Sequence, residues 1–145
     1  MTQIDFYTHV ESKLHTACRL CAKAVAQGAR LVVYAPDAET ARELDRLLWT
    51  TPATGFVPHC GPDDPRAVVT PVIVSQGSDA LPHDDVLLNL HTDVPAFFSR
   101  FQRLLEIVST DESDQQQARA RFRFYKDRGY EMRDHNLGRS AHAGA

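Results

Sequence analysis

The 145-residue sequence contains neither GxGxxG nor GxxxxGK[ST]. The turn after its first expected strand, Tyr7-Thr-His-Val-Glu-Ser-Lys13, holds no glycine. Glycines are what let backbone N–H groups approach a phosphate, so their absence argues against nucleotide hydrolysis. No run of 18 apolar residues occurs, which excludes a membrane-spanning helix. The start, Met-Thr-Gln-Ile-Asp, has no basic segment followed by an apolar one, so no export signal is expected. Cysteines number three, an odd count without such a signal, which predicts reduced thiols and a cytoplasmic location. No second CxxC completes Cys18-Arg-Leu-Cys21, and both of these cysteines fall on the apolar stripe of a helix, with His15 three residues earlier. They read as structural thiols rather than a redox pair or half a zinc site. No Ser/His/Asp arrangement has the glycine pattern of a nucleophile elbow. No catalytic set, metal site or cofactor is therefore expected. One enzymatic alternative stays open: His59, Cys60, Asp63 and Asp64 share a Pro/Gly-rich loop and would suit a metal, nucleotide or acid–base site if they converged.

What is present is an ordinary globular composition, 43% apolar and 24% charged, at a length that suits one compact domain. Net charge is −3, unevenly spread. Across residues 118–139, Arg119, Arg121, Arg123, Lys126, Arg128, Arg133 and Arg139 stand against Asp127, Glu131 and Asp134, leaving that segment at +4 and the remainder at −7. An acidic body does not wrap nucleic acid, which needs a broad basic face. A small basic patch on such a body suits a short anionic partner.

Apolar spacing predicts alternating strands and helices. Residues 3–7 read as a strand. Val10, Leu14, Ala17, Cys18, Cys21, Ala24 and Val25 then recur at helical steps, with Thr8 or Ser12 as cap and Gly28 as terminator. Arg30–Tyr34 is a continuous apolar run, the pattern of a parallel strand buried on both faces. Asp37 is the expected N-cap of a second helix carrying Leu44, Leu47 and Leu48, which Pro52 and Gly55 stop. Strands are expected at Phe56–His59, Val68–Ser75, Asp85–Leu90 and Leu104–Val108, and a helix at Pro95–Arg103. A final helix opens at Ser109-Thr-Asp-Glu and runs to about Arg128. The fold class is α/β, Rossmann-like: a mostly parallel sheet with helices on both faces. Residues 1–130 form the single domain; 131–145 read as a polar tail, disordered from Gly138 on.

Two stretches stand out. Trp49 and Phe56 flank the Pro/Gly turn, and two large aromatics there are either core or an exposed anchor for another protein. On the last helix, Arg119, Phe122, Arg123 and Lys126 are spaced i, i+3, i+4, i+7 and share one face. Either this is a solvated basic face with Phe122 turned inward, or it is a groove that holds an apolar side chain while gripping carboxylates.

The string Leu44-Asp-Arg-Leu-Leu-Trp49, then Pro52, then Gly55-Phe-Val-Pro-His59, resembles the signature of the chi subunit family of bacterial DNA polymerase III. Asp5-Phe6-Tyr7, and Ala118-Arg-Ala-Arg-Phe-Arg-Phe-Tyr125 with Gly129-Tyr130, resemble that family in the same order. The resemblance implies a Rossmann-like accessory subunit of the replicative polymerase. It implies psi-subunit binding through Trp49, Phe56 and Pro58, a surface that a helicase-like partner uses in some members. It also implies that Arg119, Phe122, Arg123 and Lys126 bind the acidic C-terminal tail of single-stranded-DNA-binding protein, so that DNA is contacted only indirectly. Phe122 stands where the family usually has tyrosine, and Gln115 where a lysine can occur.

Overall fold

The computed structural model describes residues 1–50, 57–77 and 81–138. Among the described residues seven strands form one sheet: β1 (Gln3–Val10), β2 (Leu31–Tyr34), β3 (His59–Cys60), β4 (Val72–Ser75), β5 (Val86–Asn89), β6 (Arg103–Ser109) and β7 (Met132–Asn136). Their order is β3-β4-β2-β5-β6-β1-β7, and every pairing is parallel. Three α-helices among the described residues accompany the sheet: α1 (Lys13–Ala26), α2 (Ala38–Thr50) and α3 (Glu112–Asp127). Among the described residues no helix is long and apolar enough to cross a membrane.

Strand alternation sorts the core into two layers, because successive side chains point to opposite faces. Leu31, Val33, Leu88, Leu105 and Ile107 join Ala17, Cys21, Leu44 and Leu48 of α1 and α2 on one face. Val32, Leu87, Leu104, Ile4 and Phe6 join Ala118 and Tyr125 of α3 on the other. Parallel strands covered on both faces have to be apolar throughout, which is what LVVY and VLLN supply.

Helix starts follow the expected chemistry. Ser12 Oγ accepts from His15 N at 3.2 Å, Asp37 Oδ1 from Thr40 N at 2.7 Å and Asp111 Oδ2 from Asp114 N at 3.0 Å. Each satisfies an amide that the helix itself leaves unpaired. Gly28 and Gly129, at φ +79° and +78°, take the left-handed turns after α1 and α3.

Four expectations change. The helix expected at Pro95–Arg103 is only a 3-10 turn at Phe98–Arg100. Its rings are drawn apart: Phe97 packs on Tyr34, whereas Phe98 packs on Tyr125 and Tyr130. Val10 ends β1 instead of starting a helical stripe. The strand expected from Val68 begins at Val72, after a 3-10 turn that leaves Val68 and Val69 exposed. The polar stretch from 131 on is not all tail, since Met132–Asn136 forms edge strand β7 against β1. An edge strand with one solvated side needs little apolar content, so its pattern did not announce it. Phe56, at the start of the expected strand Phe56–His59, lies outside the described residues, as do residues 139–145.

Candidate functional site: the outer face of the last helix

Helix α3 divides its side chains by angle. Ala118, Arg121 and Tyr125 are buried against the sheet. Arg119, Arg123 and Lys126 are exposed, and Phe122 is half-buried. Phe122 meets Phe6 of β1 edge-on, with ring centroids 5.5 Å apart. Its position lies between the two sequence readings: the ring rests on the core and still reaches the surface.

Two cavities flank this ring, and both are walled by Arg119 and Phe122. One, of about 270 Å³, runs down between α3 and the strands, where Phe6, Val108 and Ala118 give it an apolar floor. Thr8, His9, Gln115 and Asp134 are its polar rim. The other, about 450 Å³, lies along α3 between Arg123, Lys126 and Asp127. None of Arg119, Arg123 and Lys126 forms an ion pair with a described residue. Uncommitted cations beside an apolar recess can bind a group that is anionic at one end and apolar at the other. Sequence spacing found the four α3 residues. It missed Thr8, His9 and Asp134, because only the pairing of β7 with β1 carries them to the same place.

Arg121, inside the same basic string, has another role. It is 2% exposed, and its Nε donates to Glu106 Oε1 at 3.1 Å while Nη1 donates to Thr92 O at 2.8 Å. Tyr125 Oη donates to Glu106 Oε2 at 2.7 Å, and Asn89 Nδ2 reaches both carboxylate oxygens. Burial pushes the Glu106 carboxyl above its ordinary value, against the pull of Arg121, Tyr125 and Asn89. Burial, with the Glu106 charge, also pushes the Tyr125 hydroxyl far up, which keeps it a donor.

The second expected surface lies at the end of α2. Trp49 is 59% exposed, one step of about 100° past the buried Leu48. Its ring centroid is 5.1 Å from that of His59, in an edge contact. His59 Nε2 lies 3.0 Å from Asp45 Oδ1, off the axis of a hydrogen bond, and its Nδ1 is 2.6 Å from Val57 O. Pro58 is half-buried.

The loop 59–64 does not converge. Asp64 binds Arg66 and its own turn backbone, His59 faces α2, and Cys60 packs against the core. Among the described residues no three His, Cys, Asp or Glu group as metal ligands. Cys18 and Cys21 are buried in α1; burial pushes the Cys18 thiol up to about 11 and the Cys21 thiol further. Such thiols are poor nucleophiles at neutral pH.

Residues 1–133 match a family model described as DNA polymerase III chi subunit, HolC. A DNA polymerase III subunit chi of Pseudomonas aeruginosa is 36% identical over 144 residues, covering 96% of this chain and 99% of that protein. One from Haemophilus influenzae is 28% identical, covering 84% of this chain and 85% of its own. One from Escherichia coli is 28% identical, covering 90% and 88%.

Proposed function

Because the chain belongs to the DNA polymerase III chi subunit family, we propose that it acts as a non-catalytic bridge within the replicative polymerase of the cytoplasm. One end, around Trp49, Pro58 and Phe56, seats the psi subunit of the clamp loader, or a helicase-like protein where one replaces it. The outer face of α3, with Arg119, Phe122, Arg123 and Lys126, takes the acidic C-terminal tail of single-stranded-DNA-binding protein. DNA is contacted through that protein.

The observation that carries the reading is the pair of cavities about Arg119 and Phe122, flanked by exposed cations that form no ion pair with a described residue. A tail ending in an apolar residue would place that side chain on Phe6, Val108 and Ala118, its carboxylate beside Arg119, and its upstream acids along Arg123 and Lys126. Gln115 on the rim is neutral, where the family resemblance implies that a lysine can stand, so the expected affinity is modest, on the order of micromolar. Many tails on one coated strand raise the effective concentration and hold the polymerase there. Exposed charges also make the contact weaken as salt rises.

Calorimetric titration of the chain with an acidic, carboxylate-ended peptide tests this. Binding should appear in the wild type and fall sharply in Arg119→Ala. Equal affinities would move the site elsewhere.

A further inference from the structure

His9 occupies a backbone conformation that a non-glycine residue adopts at a cost. Its φ of 60° is left-handed, the only such case among the described non-glycine residues. Register between β1 and β6 shifts between Tyr7 and Val10, and this irregularity takes His9 out of the ladder. The chain then returns over it. A Cβ on Gly138 would fall 2.9 Å from both the Cβ and the carbonyl oxygen of His9, so only glycine fits there. Two separate devices thus hold one exposed imidazole in the rim of the α3 cavity, with Nδ1 2.9 Å from Thr8 Oγ1. Strain of this kind persists where the surroundings over-determine it, and it gathers at binding sites.

Charge says what the imidazole could do there. The other charged side chains of the cavity are Arg119 of α3 and Asp134 of β7; Gln115 is neutral. Farther along the chain, Glu11 is exposed and Lys13 is tied to Asp114. His135 of β7 is turned to Asp5. Arg119 and Asp134 offset each other, so the cavity has almost no net charge while His9 is neutral. A proton on His9 makes it cationic.

We propose that His9 is a second anion-contacting residue of the α3 cavity, its imidazolium sharing with Arg119 the carboxylate of a bound acidic peptide, so that capture strengthens as pH falls. This rests on the reading of α3 as a carboxylate-binding face. Histidine ordinarily gains its charge between pH 5 and 8, whereas the carboxylates of a peptide stay ionised well below that range.

The test is calorimetry on the full chain, with a synthetic aspartate-rich peptide ending in leucine and a free carboxylate, at about pH 5.5 and about pH 8. Wild type should bind about fivefold tighter at the lower pH, the upper end for an exposed ion pair. His9→Asn keeps a residue that tolerates the left-handed region and removes the charge. It should bind at the weaker affinity at both values. An unchanged pH response in His9→Asn overturns the proposal while leaving the α3 reading intact. Full binding by Arg119→Ala overturns the α3 reading itself. Should His9→Asn fold poorly, NMR of the wild-type His9 ring decides: its titration midpoint must rise with the free-carboxylate peptide and rise less with the C-terminal amide. No movement with either peptide rejects the contact.

Discussion

Arg119 and Arg121 sit two residues apart on α3 and serve opposite ends. Arg121 points into the sheet and meets Glu106 where the two side chains are 2% and 0% exposed, and its Nη2 has no hydrogen-bond partner among the described residues. Arg119 points outward, forms no ion pair with a described residue, and walls two cavities. One basic string therefore holds the helix in place with its inner face and offers charge with its outer one. Chemistry does not distinguish the two; the angle round the helix does. A buried ion pair loses in desolvation much of what it gains in attraction, so its strong effect appears when one partner is removed.

Breaking the inner face should have the largest effect. Glu106→Ala strands Arg121, Tyr125 and Asn89 in the core and should cost about 3–5 kcal/mol of stability in urea unfolding. A loss below about 1 kcal/mol would mean that water replaces the carboxylate and that the network does not hold α3. The next largest should come from the other candidate surface. Trp49→Ala should remove about 2–4 kcal/mol of psi-subunit binding, the range for a central aromatic anchor, with little change in stability. Equal retention of psi by mutant and wild type in a pull-down rejects that assignment. Arg119→Ala should cost about 2 kcal/mol in tail-peptide binding and under about 0.5 kcal/mol in stability. That split sharpens the comparison, because the same substitution at Arg121 should reverse it.

Much of the fold was legible because apolar spacing and caps carry it. Leu31–Tyr34 and Val86–Asn89 announce themselves as buried parallel strands, and Ser12, Asp37 and Gly28 fall where caps and stops belong. β7 was not legible, since Met132–Asn136 is polar and takes its strand state from pairing with β1. The short turn at Phe98–Arg100 reads as a helix in the sequence because Phe97, Phe98 and Phe101 have helical spacing, yet all three enter one core layer from a 3-10 turn. At the candidate site, the i, i+3, i+4, i+7 spacing gave the α3 face. The cavity's far wall came from residues more than a hundred positions apart, Thr8 and His9 of β1 against Asp134 of β7. Periodicity sees one element at a time, so a site made between elements escapes it.

The smallest effect concerns how α3 is fixed at its start. Asp114 Oδ2 accepts from Ser109 N at 2.8 Å and from Ser109 Oγ at 2.9 Å, and Oδ1 lies 3.1 Å from Lys13 Nζ of α1. Burial raises this carboxyl's pKa, but the Ser109 amide and the Lys13 charge together outweigh it and leave it below the ordinary aspartate value. With the folded pKa depressed, the unfolded chain binds the proton more readily. The stabilisation is then complete above about pH 4, the unfolded value, and is lost as pH falls through the folded one. Asp114→Asn should lower stability by about 1 kcal/mol near neutrality. The gap between variant and wild type should close in urea melts as the pH is taken down into that acid range. A gap of the same size at the acid end would show that Asp114 acts by shape and hydrogen bonding alone. The outer face of α3 would then be held chiefly by Glu106 and Arg121.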